Sequence, residues 1–556
     1  MPEVVTQYLN SGWQHLQLHR NPVVWKNFKA RLRTQAVFQF LLVFIIAGFI
    51  TVITYAGLDE FQASSIQAAR VGVLPLLILQ SVILMLSGTG RVTSGVIHER
   101  VTGTLDYTRM TPMSPMTKVM GYLFGLPVRE YLLFAMTMPF MLFLLIMGEI
   151  PWSSTIQVYL VFFSSVFLYH LIGLVFGLVL KEWRMSVVFT QGVVILINLI
   201  LPLFSNLGFP FLQYLTIRPV VISQIVPLLP QGSDVNPVFF GGMFTTDVAF
   251  FNWSVSTTMF SLLVQGMLIF TLGLMVYRKW QSAFNKSLGK IYAIVFFLGL
   301  QLFCVGTMWP NLTGATNSDL ARGLLPSDFG REELSYMLPL MFSIFTQMFL
   351  FWLLYVITPT HDEYRSGLIL DRKLRQGGGR GLPPFHDKSS AVLTASILAA
   401  MSFAFIVFIQ STLSDVGAYS GISFFSLDFL RMPLTTVLVI FYFFLALENL
   451  EFPRLAIMVL ILWILPILLA ILAGVAFGVE YNWAYIASVS PFALMILSMA
   501  GLYTDTIQGE EQEYLMLFRQ AYWLGSAVIF YITCYMGYEL TLVRKRIRQG
   551  VERSSQ

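Results

Sequence analysis

The chain has 556 residues, 56% of them hydrophobic and only 11% charged, with a net charge of +5 and a mean hydropathy of +0.72. A soluble domain carries about 25% charged residues, so a soluble fold is excluded, and nothing in the composition marks nucleic acid as a partner. Apolar runs of roughly 20 residues, enough to cross a ~30 Å hydrocarbon core, recur along the chain and predict an all-α polytopic membrane protein of about twelve transmembrane helices.

The N-terminal stretch Met1–Arg33 is polar and basic, with no apolar core before Ala36, so no cleavable signal peptide is expected. Within it Trp25, Phe28 and Leu32 fall on one helical face and Lys26, Lys29, Arg31 and Arg33 fill the rest. That pattern predicts a helix lying flat on an anionic membrane surface. Spans are then predicted at Gln35–Gly57, Val71–Ile97, Tyr122–Met147, Thr155–Leu180, Ser186–Leu203 and Thr257–Tyr277. Six more follow at Ile291–Trp309, Leu334–Ile357, Ala391–Ile409, Pro433–Leu447, Leu455–Gly478 and Tyr522–Val543. The cysteines, Cys304 and Cys534, lie far apart in apolar runs, so neither a disulfide framework nor a metal site is expected.

Orientation follows from the basic residues. With the N-terminus inside, most of the 34 Lys and Arg fall on the cytoplasmic face, including the Arg278–Lys290, Arg372–Arg375 and Arg544–Arg548 groups. Both termini are then expected inside. Two further apolar pieces, Phe209–Leu229 and Ala484–Gly501, carry Pro219 and Pro491. Counting either as a full crossing would move a basic cluster to the outer face. They are read as outer-face re-entrant elements, where interrupted backbone is tolerated beside protein or water.

Several features recur in order. Trp25, Phe28 and Leu32 reappear as Trp280, Phe284 and Leu288; Glu99, Thr102 and Gly103 as Glu363, Ser366 and Gly367; and Pro219 as Pro491. Together they predict an internal duplication, with pseudo-symmetric six-span halves at 1–280 and 281–556.

Between the second and third spans lies a charged island, His98–Pro115, with sequence His-Glu-Arg-Val-Thr-Gly-Thr-Leu-Asp-Tyr-Thr-Arg-Met-Thr-Pro-Met-Ser-Pro. Val101, Leu105 and Tyr107 give it an apolar ridge suited to a groove on a partner, and Pro112 and Pro115 give it a stop. It resembles the stretch between the second and third spans of ABC type-2 exporter permeases. The layout of the whole chain resembles that family as well, with both halves fused here. The resemblance implies that residues 98–117 are a coupling helix docking onto a separate ATPase, with Glu99 at its start and Leu105 as its apolar knob. It implies a second coupling region at 361–387, looser than the first because Arg372-Lys-Leu-Arg and a triple glycine replace the Pro-Met-Ser-Pro turn.

What the resemblance implies for function is an ATP-driven exporter permease moving a hydrophobic or amphipathic substrate outward. It implies two ABC ATPase partners that bind ATP and Mg, contact with membrane lipid, accessory envelope proteins as further partners, and a prokaryotic inner membrane. No phosphate loop is visible around Ser287-Leu-Gly-Lys290, so no cofactor is expected in this chain. Within the apolar segments His170, Glu448, Glu451 and Glu539 are the clearest polar groups, and Arg129 and Glu130 begin the third span. The alternative, a twelve-span secondary transporter driven by an ion gradient, also has parallel halves. A lipid-modifying enzyme would need an acid–histidine cluster, and the six histidines form none.

Overall fold

The computed structural model describes residues 21–31, 34–57, 64–179, 183–202, 210–229, 247–282, 285–313, 331–415, 426–450, 452–477, 483–499 and 510–553. Eleven of its helices are long and apolar enough to cross a membrane. The chain is an integral membrane protein built almost wholly of helix. It divides into two units with their boundary between Ser287 and Leu288. This differs from the expected break at 280/281 because the sixth span runs on to Gln281 and the next residues fold back on it. Asn285 N–H donates to Ser282 O at 3.2 Å, and Arg278 Nε donates to Lys286 O at 3.1 Å.

Unit 1 begins with α1, Pro22–Arg31. Asn21 accepts from Val23 N–H at 3.0 Å and donates to Thr117 O at 2.8 Å, so a single side chain both starts the helix and pins it. The spans α2 (Thr34–Gly57) and α3 (Ser65–Val101) follow. Then come α4 (Thr104–Met110), α5 (Pro115–Gly125), α6 (Val128–Met147), α7 (Trp152–Val179) and α8 (Trp183–Leu199). At 17 residues α8 sits at the lower limit for a crossing, and its expected continuation past residue 202 lies outside the described residues.

Small residues set the packing. A methyl on Gly121 of α5 would come within 2.8 Å of Val23, and one on Gly125 within 3.1 Å of Val24, so α1 lies in a groove those glycines open. On α7, Gly173 and Gly177 do the same for α3: added methyls would meet Thr89 O at 2.9 Å and Val96 at 2.8 Å. α3 contains a π-helical turn, Val82–Gly88. His170 of α7 fills it, with Nε2 3.0 Å from Leu84 O and Nδ1 3.2 Å from Tyr131 Oη. The carbonyl requires Nε2 to donate, so Nδ1 accepts from the tyrosine and both ring nitrogens are used.

Pro219 begins the short buried helix α9, Arg218–Gln224, after the 3-10 turn Pro210–Leu215. A hairpin that the helical reading did not foresee, β1 (Asp247–Phe250) and β2 (Trp253–Ser256), precedes the sixth span α10 (Thr257–Gln281). Phe251 in its turn is left-handed, at φ 53°.

Unit 2 holds the spans α11 (Lys290–Leu312), α12 (Arg331–Ile357), α14 (Val392–Asp415) and α15 (Leu427–Asn449), with α13 (His361–Gln376) between α12 and α14. α16 runs from Phe452–Val459 through a π turn, Leu460–Ile464, into Leu465–Phe477. The short helices α17 (Trp483–Ala487) and α18 (Pro491–Ser498) follow, and Ser490 Oγ donates to Trp463 O of the π turn at 2.7 Å. Pro491 thus starts a buried short helix, as Pro219 does. The last helix, α19 (Glu510–Arg553), has 44 residues. At 1.5 Å per residue it is roughly 66 Å long, about twice the hydrocarbon core, so its basic end stands clear of the membrane.

Among the described residues no second interfacial helix is formed. Trp280 lies in the last turn of α10, buried, and Leu288 is buried in an irregular segment after it, while Phe284 lies outside the described residues. Ser282 is extended at φ −154° where α10 ends, and Gly289 already caps α11. In the first copy Trp25 and Phe28 are exposed and ring-paired at 5.7 Å, whereas Val23 and Asn27 face the protein. The aromatic face of α1 is therefore the side turned away from the protein. Leu32 lies outside the described residues.

Candidate functional site

The island at 98–117 is three pieces, not one helix. α3 continues to Val101, and Thr102 Oγ1 bonds back to His98 O at 2.9 Å. Gly103 then turns left-handed at φ 74° and α4 starts. Glu99 is consequently in the last turn of α3, where the helix dipole disfavours a carboxylate. Partners compensate: Lys26 Nζ of α1 lies 2.7 Å from Oε1, and the Tyr122 hydroxyl of α5 donates to Oε2. The carboxylate is buried and ties three helices together.

Gly103 has open space around the position of a Cβ, so its role is backbone conformation and not close approach to a neighbour. Leu105 is likewise reassigned. It is fully buried, in a core with Val92, Val96, Tyr122 and Trp280, and so anchors α4 to its own unit. The ring of Trp280 lies 4.8 Å from that of Tyr122, tilted by 43°, and under the Arg109 guanidinium at 5.9 Å. The apolar side chains turned outward are Val101, Tyr107 and Met110, which are 71%, 73% and 83% exposed. Hydropathy alone does not separate the anchor from the exposed ridge, because both kinds of residue fit the same pattern.

The exit from α4 is fixed as well. Lys118 Nζ caps its last carbonyls, Arg109 O at 2.9 Å and Thr111 O at 3.1 Å, and burial lowers the pKa of its ammonium. Pro112 falls in the bend after α4, and Pro115 occupies the first turn of α5 behind the N-cap Ser114, which accepts from Thr117 N–H at 3.2 Å.

The region 361–387 is the more regular of the two, contrary to expectation. α13 has 16 residues and a capping box, in which Thr360 accepts from Glu363 N–H at 3.4 Å and Glu363 accepts from Thr360 N–H at 2.8 Å. Glu363 is therefore a cap at a helix start, and Glu99 a buried tie at a helix end. Ser366 Oγ bonds to Asp362 O at 2.7 Å, the same local bond that Thr102 makes. Gly367 is a close-approach glycine: an added methyl would meet Lys388 O at 2.4 Å. The triple glycine is held. Gly379 N–H donates to Leu374 O at 2.8 Å, and Asp371 accepts from Leu382 N–H at 2.6 Å and from Arg375 at 2.9 Å. Those bonds, led by the Leu382 amide, hold the Asp371 carboxyl below the usual carboxylate range.

A hub at the end of unit 2 was not legible from motifs. Buried Lys290 of α11 donates to His386 O at 2.9 Å, to Ser389 O at 2.6 Å and to Ser390 O at 3.2 Å. Arg544 of α19 pairs with Glu448 of α15, donates to Ser390 Oγ at 2.9 Å, and covers the Tyr364 ring of α13 at 5.3 Å. The sequence flagged Glu448 as polar and Arg544 as an orientation signal. Their pairing depends on α15 and α19 packing side by side, which no local pattern encodes.

A scan against protein-family models and searches of curated proteins and solved structures find no match to this chain.

Proposed function

We propose that this chain is the membrane permease of an ATP-driven exporter, with two separate ATPase subunits docking at its cytoplasmic end and holding ATP and Mg. The observation that supports this best is α4. It is a short helix outside the spans, fastened from behind by Leu105, Lys118 and the Glu99 tie, with Val101, Tyr107 and Met110 turned away from the protein. Exposed apolar side chains on a rigid element beyond a membrane span fit a groove on a partner. A push on α4 would pass through Glu99 to α1, α3 and α5 together. In unit 2 a push on α13 would pass through Tyr364 and Arg544 to α15 and α19. Moving these ends in concert is what alternating access requires of a permease, and the substrate in this reading is hydrophobic or amphipathic. The reading places both termini in the cytoplasm and the protein in a prokaryotic inner membrane.

The test is co-purification of an ATPase with the tagged full chain, followed by reconstitution. Association that Tyr107→Ser and Met110→Ser abolish supports the reading. Substrate movement that follows an imposed ion gradient with no ATPase present would overturn it in favour of a secondary transporter.

A further inference from the structure

At the level where α6 begins, three guanidinium groups converge on a single carboxylate. Glu130 is fully buried; Arg129 Nη2 lies 2.7 Å and Arg91 Nε 3.3 Å from its Oε1. Arg31, at the end of α1, lies against Gly95 of α3, where an added methyl would be 3.1 Å from its Nη2, and it interacts electrostatically with Glu130, Arg91 and Arg129. Lys26 and Glu99 cancel each other nearby. The cluster thus keeps an excess of positive charge, and Arg91, 45% exposed, presents it outward. Arg31 ends α1 three positions before α2 begins and Arg129 stands in the first turn of α6, so the excess charge sits at the mouth of the α2–α6 pair.

The same two helices enclose an apolar groove of about 440 Å³, lined by Phe44, Gly48 and Val52 of α2 and Pro139, Phe140 and Phe143 of α6. Its near end is the Phe44–Phe140 ring pair at 4.8 Å. Gly48 keeps it open, since a methyl there would meet Phe140 at 3.2 Å. From Glu130 to Pro139 and Phe143 is roughly 14–20 Å at 1.5 Å per residue. Half of a ~30 Å core is about 15 Å, so an acyl chain whose phosphate lies at the arginines ends in this groove. Exposed Val37, Phe38 and Leu41 line the way.

We propose that unit 1 holds one anionic phospholipid, its phosphate on Arg31, Arg91 and Arg129 and one acyl chain between α2 and α6. Basic pockets between spans at headgroup level recognise such lipids, and the apolar groove beyond the arginines favours an anion that carries an acyl chain. This site is independent of any ATPase and concerns how lipid holds α1 against the first spans.

The experiment uses the purified full chain in neutral detergent, with phosphatidylglycerol and phosphatidylcholine retention counted by native mass spectrometry. Wild type should retain one phosphatidylglycerol and lose phosphatidylcholine. Arg31→Gln with Arg91→Gln leaves Arg129 on Glu130 and should weaken phosphatidylglycerol roughly thirtyfold, from about 1 kcal/mol per arginine. Gly48→Phe fills the groove without touching a charge and should weaken long-chain but not short-chain phosphatidylglycerol. Equal retention of the two headgroups, or unchanged retention in both variants, would overturn the proposal. So would displacement of the lipid by inorganic phosphate, which would mark a bare anion site.

Discussion

Lys26 and Glu99, 73 residues apart in sequence, meet at 2.7 Å and join α1 to the last turn of α3. Lys26 is half exposed, so the pair itself contributes only about 0.5–1 kcal/mol. The buried carboxylate matters more, because without Lys26 it loses its paired ammonium and keeps the neutral Tyr122 hydroxyl as a donor. Lys26→Ala should lower the thermal midpoint of the full chain in detergent, and Lys26→Arg should restore most of it. Glu99→Ala should reduce substrate-stimulated ATP hydrolysis in the reconstituted complex. A Glu99→Ala complex with full stimulation would remove the tie from the coupling route.

The outward side chains of α4 and the inward one have opposite expected signatures. Leu105→Ala empties a fully buried site and should cost about 2–5 kcal/mol of stability. Tyr107→Ser and Met110→Ser remove only exposed surface and should leave stability within about 0.5 kcal/mol, yet reduce ATPase binding at least tenfold. Thermal unfolding beside a pull-down separates the two. Loss of stability in the Tyr107 and Met110 variants would mean that they support their own unit.

Gly103 and Gly367 occupy matching places in the sequence repeat but carry different constraints. At Gly103 the cost of a side chain is conformational, about 1–2 kcal/mol for a left-handed residue, with no clash. Gly103→Asn, which tolerates that conformation, should therefore cost less than Gly103→Ala. At Gly367 the cost is steric, because the Lys388 carbonyl occupies the space. Gly367→Ala and Gly367→Asn should both be harmful, the larger one more so. Equal effects of Ala and Asn at position 103 would contradict this assignment.

These glycines also mark how far the sequence could be read. Apolar runs of span length place eleven long helices, and the proline-broken pieces at Pro219 and Pro491 start short helices as their local chemistry demands. The repeat misleads where identical residues meet different neighbours. Glu99 and Glu363 share a spacing to a hydroxyl and a glycine, but the helix ends at the first and begins at the second. Trp280 reads as a surface anchor because it follows basic residues, yet α10 runs long enough to carry it beneath α4. The Lys290 and Arg544 hub depends on helices distant in sequence, and no local period signals it.

Asp371 ties the loop after α13 through the Leu382 amide, and its carboxyl is held below the ordinary value of about 3.9. A depressed carboxylate pKa contributes stability that is fully present above the unfolded value and is lost as pH falls through the folded one. Hydrogen exchange at Leu382 should therefore stay protected down to about pH 4, the ordinary carboxylate value, and protection should be lost only as pH falls below it through the depressed folded pKa. Asp371→Asn keeps an acceptor but removes the charge and should show weaker protection at every pH. Undiminished protection in that variant would mean that the backbone bonds of Gly377–Gly379 hold the loop without it.

Sidedness decides whether α13 and α4 can meet an ATPase. Gly378 follows α13, and Ser414 ends α14, the next span, so a single crossing separates them. With Cys534 replaced by serine and cysteine introduced singly, Gly378→Cys should react with an impermeant maleimide only after the membrane is opened. Ser414→Cys should react from the outside of intact cells. Basic residues flank Gly378 at Arg372, Lys373, Arg375 and Arg380, and such clusters stay on the cytoplasmic side. Labelling of Gly378→Cys from outside would put α13 on the wrong face for an ATPase. It would leave the exposed ridge of α4 without the partner assigned to it.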